Sequence, residues 1–241
     1  MSVIITPNQL RSGDVILFAY DESLRPDGLW NKMKWWFLTK VTRRIKEEAN
    51  SNYTHSAICY DSDTIAQAPK PRYPVEKVSV ADAVAECKFA VVFRSSFAYL
   101  APVRVQKLKA FLDKVVADGV TYNWWGLFRF SARKVNHFQT LKERLDANFA
   151  GQGANVSFDS NSYFCSELVG ACLCVIGAIE PSAAIVYDPR VTSPADLGRD
   201  PTWGTFIGYM VPDPATEIPE DDEFYHNVPL PIEIGGVDYG A

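Results

Sequence analysis

Residues 161–176 read NSYFCSELVGACLCVI and set one cysteine, Cys165, at the head of a segment with helical periodicity. Leu168, Val169, Cys172 and Ile176 follow it at steps that put them on one side, so an apolar face is expected to pack inward. Ser162 or Asn161 is the expected N-cap, and Glu167 brings negative charge into the first turn. A thiol at that point meets the positive end of a helix dipole and unpaired amide donors, both of which favour the thiolate. Position alone favours the plainer reading, a small core residue, since free cysteines are usually buried packing. Chemistry has to be argued from the rest of the chain.

The 241 residues, 47% hydrophobic and 22% charged, have the make-up of an ordinary globular protein with room for a sizeable core. No apolar run approaches the ~20 residues of a transmembrane helix, and no secretory signal is read in the first residues. A cytoplasmic location is the expectation. The five cysteines are odd in number and lack metal-ligand spacing, so free thiols in a reducing compartment are expected, with no metal or cofactor. From Asp213 onward there are eight acidic residues and no lysine or arginine; setting these aside, the formal net charge of −5 becomes a body near +3. The sequence therefore divides into a domain over 1–212 and an acidic, proline-rich, extended and loosely packed tail over 213–241. The basic residues do not cluster as a nucleic-acid-binding surface requires.

Along the chain, SGDVILFAY gives a strand over 15–20. Residues 29–48 read as a helix, with Leu29, Met33, Trp36, Phe37, Val41 and Ile45 on one face and basic residues on the other. That helix is expected to cover the core, and its tryptophans and basic face leave contact with a membrane surface as the less favoured reading. Two strands flank the turn Asp61–Ser62–Asp63; PVEKVSV and CKFAVVFRS give two more, joined by a helical turn over 81–86. A helix over 102–119, weaker helices over 123–132 and 138–149, the Cys165 helix, a capped turn at SPADLGRD and a late strand at WGTFIGYMV complete the order. Strands and helices in separate runs indicate an α+β fold.

A nucleophilic cysteine needs a base, and the base needs an orienting group. Of three histidines, His226 lies in the acidic tail and His137 in a polar helical segment, both expected at the surface. His55 opens the apolar strand HSAIC, where a ring can be held with one edge toward a cleft; taken alone, a strand-end histidine with its hydrogen bonds satisfied is an equal reading. If Asp61–Asp63 is a three-residue loop, Tyr60 pairs with Thr64 and Ala57 with Gln67, which makes His55 and Gln67 diagonal neighbours on one face. A two-residue loop would bring Ala66 or Ala68 there instead. Gln67 is thus the expected orienting group, accepting from the imidazole N–H, with Asp61 and Asp63 as competitors better suited to the turn.

GDVILF, THSAI, IAQA and YFCSELV, in this order, resemble the circularly permuted papain-like amidases of the NlpC type, the YiiX/YaeF-like group. The resemblance spans about 12–211, and its specific part is the set of short motifs together. It implies an antiparallel sheet or partial barrel packed against helices, with the histidine strand and orienting residue ahead of the cysteine. TYNWWG at 121–126 is similar to the Tyr-x-Trp-Gly element of such enzymes, with one extra tryptophan. Carried over, Tyr122 would lie near the nucleophile and offer its hydroxyl to substrate or oxyanion; the alternative is an aromatic helix start packed in the core. The group often has glutamate where Gln67 stands, and the long 126–165 segment implies a reshaped groove.

The expected function is a cysteine hydrolase of amide (peptide, γ-glutamyl or peptidoglycan-like) or ester bonds. Cys165 is the nucleophile, His55 the base, Gln67 the orienting group and Tyr122 a second oxyanion donor. The substrate is a small peptide or acyl compound. The alternatives are a lipid acyltransferase or thioesterase of the lecithin–retinol acyltransferase-like type, and a non-catalytic binding module. The geometric expectation is that the Cys165 sulfur faces His55 and Cys172 lies buried behind it.

Overall fold

The strand Val15–Ala19 (β1) is buried at all five positions, because it runs through the middle of a sheet covered on both faces. A computed structural model describes residues 3–20, 50–69, 73–95, 101–151, 160–180 and 182–229. The helix expected over 29–48 lies outside the described residues. β1 pairs on one side with β2 (His55–Cys59) and on the other with β5 (Phe89–Arg94). β3 (Thr64–Gln67) and β4 (Glu76–Ser79) extend the sheet beyond β2, and β8 (Thr205–Met210) extends it beyond β5. The order is β4-β3-β2-β1-β5-β8, antiparallel throughout. The fold is mixed α+β, as expected, with a six-stranded antiparallel sheet.

Side chains alternate between two apolar layers. Leu17, Ile58, Ala66, Val91 and Phe93 meet two helices on one face, α2 (Pro102–Ala117) and α5 (Cys165–Val175). Ile16, Phe18, Ala57, Ile65 and Val92 meet α1 (Val80–Ala85) and the N-terminal residues Ile5 and Leu10 on the other. At one end of β1 the buried Asp14 carboxylate takes a two-point contact from Arg94, at 2.7 Å from Nε and 2.6 Å from Nη2.

α5 differs from the one-sided helix expected. Its residues Cys165–Cys174 are all buried, because sheet, α2 and a 3-10 turn at Pro189–Val191 enclose it. Gly170 permits the last approach: a Cβ there would sit 2.8 Å from the Pro189 Cβ. The N-cap is also shifted. Ser162 and Tyr163 form β7 (Ser162–Tyr163), paired in parallel with β6 (Thr121–Tyr122), and Phe164 occupies the cap position. Glu167 does the capping from within the first turn, accepting from the Phe164 N–H at 3.2 Å and from Asn123 Nδ2 at 3.0 Å.

The two weaker helices divide elsewhere. A short α3 (Trp124–Phe128) is followed at Arg129 by a continuous α4 (Phe130–Phe149). The Asn123 side chain caps α3 by accepting from Gly126 N at 2.7 Å. A Cβ on residue 126 would collide with that amide, which explains the glycine. His137 on α4 is buried rather than at the surface: its Nε2 meets the Val186 carbonyl at 3.1 Å, and Arg144 donates to Nδ1 at 2.7 Å. A last short helix, α6 (Pro194–Arg199), begins on the capping hydroxyl of Ser193.

The part of the tail inside the described residues, 213–229, is not loosely packed. Ile218 and Phe224 belong to the core, and the Phe224 ring sits 5.0 Å from Phe93 and 5.4 Å from Tyr53. The buried Asp222 carboxylate accepts from the hydroxyls of Tyr53, at 3.0 and 3.1 Å, and Tyr209, at 2.6 Å. A sequence dominated by proline and acid hides the two residues that anchor it.

Candidate active site

The β2–β3 turn has the three-residue form. Tyr60 N donates to the Thr64 carbonyl at 2.9 Å, and Cys59 and Ile58 stand opposite Ile65 and Ala66. Asp61 is consumed by this turn, accepting from the N–H groups of Asp63 and Thr64 at 3.1 and 2.8 Å. Continued outward, the register aligns Ala57 with Gln67 and leaves His55 diagonal to it on the same face. The side chains meet: His55 Nε2 lies 2.8 Å from Gln67 Oε1.

Gln67 is itself held. It stands opposite Glu76 on β4, and its Nε2 donates to Glu76 Oε1 at 3.1 Å. A carboxylate only accepts, so this bond turns the amide nitrogen toward β4 and the amide oxygen toward His55. The proton between His55 and Gln67 therefore sits on Nε2, which leaves Nδ1 as the free acceptor. Phe18 and Tyr20 flank the imidazole, with ring centroids 5.6 and 6.0 Å away. Burial pushes the His55 ring down to about 4, against the raising effect of the Gln67 hydrogen bond. At neutral pH it is an uncharged base.

Cys165 is the first residue of α5 and retains 5% exposure. No side chain caps this helix from Phe164. Burial pushes the Cys165 thiol up; the N–H and hydroxyl of Ser56 and the N–H groups of Ser166 and Cys165 itself pull it back down. The net upward shift departs from the expected thiolate, because loss of water outweighs the helix-start donors. Ser56 is the residue after His55 on β2, and it points with Ile58 toward the α5 side. Its hydroxyl is buried and has no hydrogen-bond partner of ordinary geometry among the described residues. Cys172 is fully buried farther along α5.

Two phenols face the same region. Burial, and then the negative charge of a Cys165 thiolate and of Glu167, hold Tyr122 well above its ordinary value. Burial raises Tyr20 as well, with Cys87, Glu86 and Cys165 adding to the effect.

No model of a known protein family matches this chain, and no curated protein matches it either. Its chemistry has to be read from its own residues. Of the four residues singled out in the sequence, His55 and Gln67 are joined by a hydrogen bond, and Cys165 and Tyr122 lie near each other; Cys165 meets β2 through Ser56, the residue next to His55, and no contact between Cys165 and His55 is seen among the described residues. Ser56 against Cys165, Tyr20 against His55 and Glu76 against Gln67 were not singled out. Ser56 was legible as the residue beside the histidine that points to the helix side, and Tyr20 as the end of the strand running alongside. Glu76 required the β3–β4 register. Among the described residues no group of three His, Cys, Asp or Glu side chains is arranged to hold a metal ion.

Proposed function

We propose that this chain is a cysteine hydrolase of amide or ester bonds that works through a thioester on Cys165. The observation that carries the reading is the fixed His55–Gln67 pair on β2 and β3, with the next residue of β2, Ser56, against a cysteine at the start of a buried helix. The order of histidine strand, orienting residue and cysteine helix, on an antiparallel sheet, agrees with membership of the permuted NlpC-type papain-like group.

In this mechanism His55 Nδ1 takes the Cys165 proton as the sulfur attacks the substrate carbonyl. The Cys165 N–H, with Tyr122 as second donor, holds the developing oxyanion; loss of one such donor costs about 2.7–4 kcal/mol of barrier. The tetrahedral intermediate collapses with cleavage of the C–N or C–O bond, and the imidazolium returns its proton to the leaving amine or alcohol. Water, deprotonated by His55, then attacks the thioester and releases the acid and the free thiol. The uncharged ground state of both groups means that the proton moves during attack rather than before it.

The test is to present a panel of peptide, γ-glutamyl and acyl-ester donors and search by mass spectrometry for an acyl adduct on Cys165. An adduct absent from Cys165→Ala supports the reading. No adduct from any donor, together with a thiol that alkylates no faster than free cysteine, overturns it.

A lipid acyl donor is the second reading. Trp125 and Phe128 on α3, immediately after Tyr122 and Asn123, are 73% and 50% exposed, with rings 6.5 Å apart. Exposed aromatics on the helix that follows Tyr122 suit an acyl chain or a membrane surface. Sedimentation with anionic liposomes at low salt separates the readings: absence of association removes the lipid one.

A further inference from the structure

The hydrogen bonds of the site do not end at Gln67. His55 Nε2 to Gln67 Oε1 is 2.8 Å, and Gln67 Nε2 to Glu76 Oε1 is 3.1 Å, so three adjacent strands contribute one side chain each to a single line. The register puts Glu76 directly across from Gln67. Glu76 is half-buried, and Gln67 is the partner its carboxylate takes among the described residues.

A glutamine is an ambiguous orienting group. Its amide presents an acceptor or, after a half-turn about the last bond, a donor, and the two faces have nearly the same shape. With the acceptor toward His55 the ring must carry its proton on Nε2, and Nδ1 is free to take a proton. With the donor toward His55 the ring must present a bare Nε2, its proton moves to Nδ1, and the base is disabled. Gln67 alone does not choose between these two states.

We propose that Glu76 is a positioning residue that sets the tautomer of His55 by fixing the orientation of the Gln67 amide. Its carboxylate has no proton to donate, so it accepts only the NH2 group of Gln67. A hydrogen bond to a charged acceptor is stronger than one between neutral groups, which gives the preference its weight. The role rests on the cysteine–histidine chemistry proposed above, but it is visible without turnover because a tautomer can be observed directly.

The experiment uses full-length, nitrogen-15-labelled protein at about pH 7, where the His55 ring is uncharged. Long-range proton–nitrogen correlation reads the tautomer of each of the three histidines, with His55 assigned by its loss in His55→Gln. In the native protein a single Nε2–H form is expected. In Glu76→Ala the Nδ1–H form appears beside it. In Glu76→Gln, whose amide can also turn over, both forms are again expected, and Glu76→Gln keeps the side-chain volume should Glu76→Ala fold poorly. The maximal rate of Cys165 acylation should fall in proportion to the lost Nε2–H fraction, with KM unchanged.

A pure Nε2–H form in both variants overturns the proposal, as does a fall in rate without a change of tautomer. If the tautomer shifts while native Cys165 forms no acyl adduct, the positioning role of Glu76 stands and the hydrolase reading falls.

Discussion

His55 and Gln67 join β2 to β3 through a 2.8 Å contact between Nε2 and Oε1, at the open end of a hairpin whose other end is closed by Asp61. The bond fixes which ring nitrogen is available, so its two partners should differ in what they contribute. On the proposed mechanism His55→Ala removes the base and is expected to slow Cys165 acylation by about two to four orders of magnitude. Gln67→Ala leaves the base but frees the ring, and should cost less, with the loss in maximal rate rather than KM. Single-turnover acylation followed by mass spectrometry measures both. Equal losses would place Gln67 in contact with substrate instead.

Burial holds the folded His55 at about 4, whereas the same ring in the unfolded chain titrates near 6.5. Between those values the unfolded chain binds a proton that the folded one refuses, so stability rises with pH through this window. His55 contributes fully above about 6.5 and loses stability as pH falls toward 4, by up to about 3 kcal/mol. Urea unfolding of the native protein and of His55→Gln from pH 4 to 8 isolates the effect, because other carboxylates titrate in both. A constant difference between the two would contradict it. The acid limb of Cys165 acylation should likewise fall near pH 4 rather than near 6.5.

The Ser56 hydroxyl faces Cys165 and has no partner of ordinary geometry among the described residues. If it donates to the ionised sulfur, Ser56→Ala should raise the midpoint of iodoacetamide labelling at Cys165 by about one pH unit. A more basic thiolate is also the better nucleophile, so the pH–rate profiles should cross. Labelling should be about threefold slower at neutral pH and about threefold faster on the alkaline plateau. A packing defect alone would displace the whole profile in one direction.

Phe224 and Asp222 attach the tail to the core. Phe224→Ala should cost about 3–5 kcal/mol, the range for deleting a buried aromatic ring. Asp222→Ala leaves the Tyr53 and Tyr209 hydroxyls without their acceptor, at about 1–3 kcal/mol for each stranded group. Asp222→Asn keeps one acceptor oxygen and should cost less. Chemical denaturation checks all three, and an unchanged midpoint in Phe224→Ala would return the tail to the loosely packed state expected from its composition.

The strands around the site were legible because their signals are local. β1 is an unbroken apolar run, β2 and β3 are short apolar segments on either side of a turn, and the length of that turn fixed which face Gln67 takes. The Cys165 helix announced itself by periodicity, but burial on all its sides did not, since Ser166, Glu167 and Gly170 look polar or small in sequence. What escaped depended on partners distant in the chain. Glu76 acquires its meaning from a register set across the loop between β3 and β4. His137 looks solvated until the Val186 carbonyl is brought to it. Phe224 and Asp222 have no periodic neighbours; the Phe93 and Tyr53 rings explain the burial of the first, and the Tyr53 and Tyr209 hydroxyls that of the second. The thiol failed to stay low for a similar reason: a helix start is visible in sequence, but the depth at which it is buried is not.

The bond between Tyr53 and Asp222 spans 169 residues of sequence, and Tyr53 lies two positions before His55. During synthesis the strand carrying His55 emerges well ahead of its anchor, which follows Tyr53 by 169 residues. β8, which seals the other edge of the sheet, is also late and pairs through Tyr209 with Ile4 and Ile5 at the beginning of the chain. A nascent chain therefore holds His55, Gln67 and Glu76 outside the ribosome well before the core beneath them can close. The Cys165 helix and the tail residues that anchor Tyr53 are made after the strands that carry His55, Gln67 and Glu76.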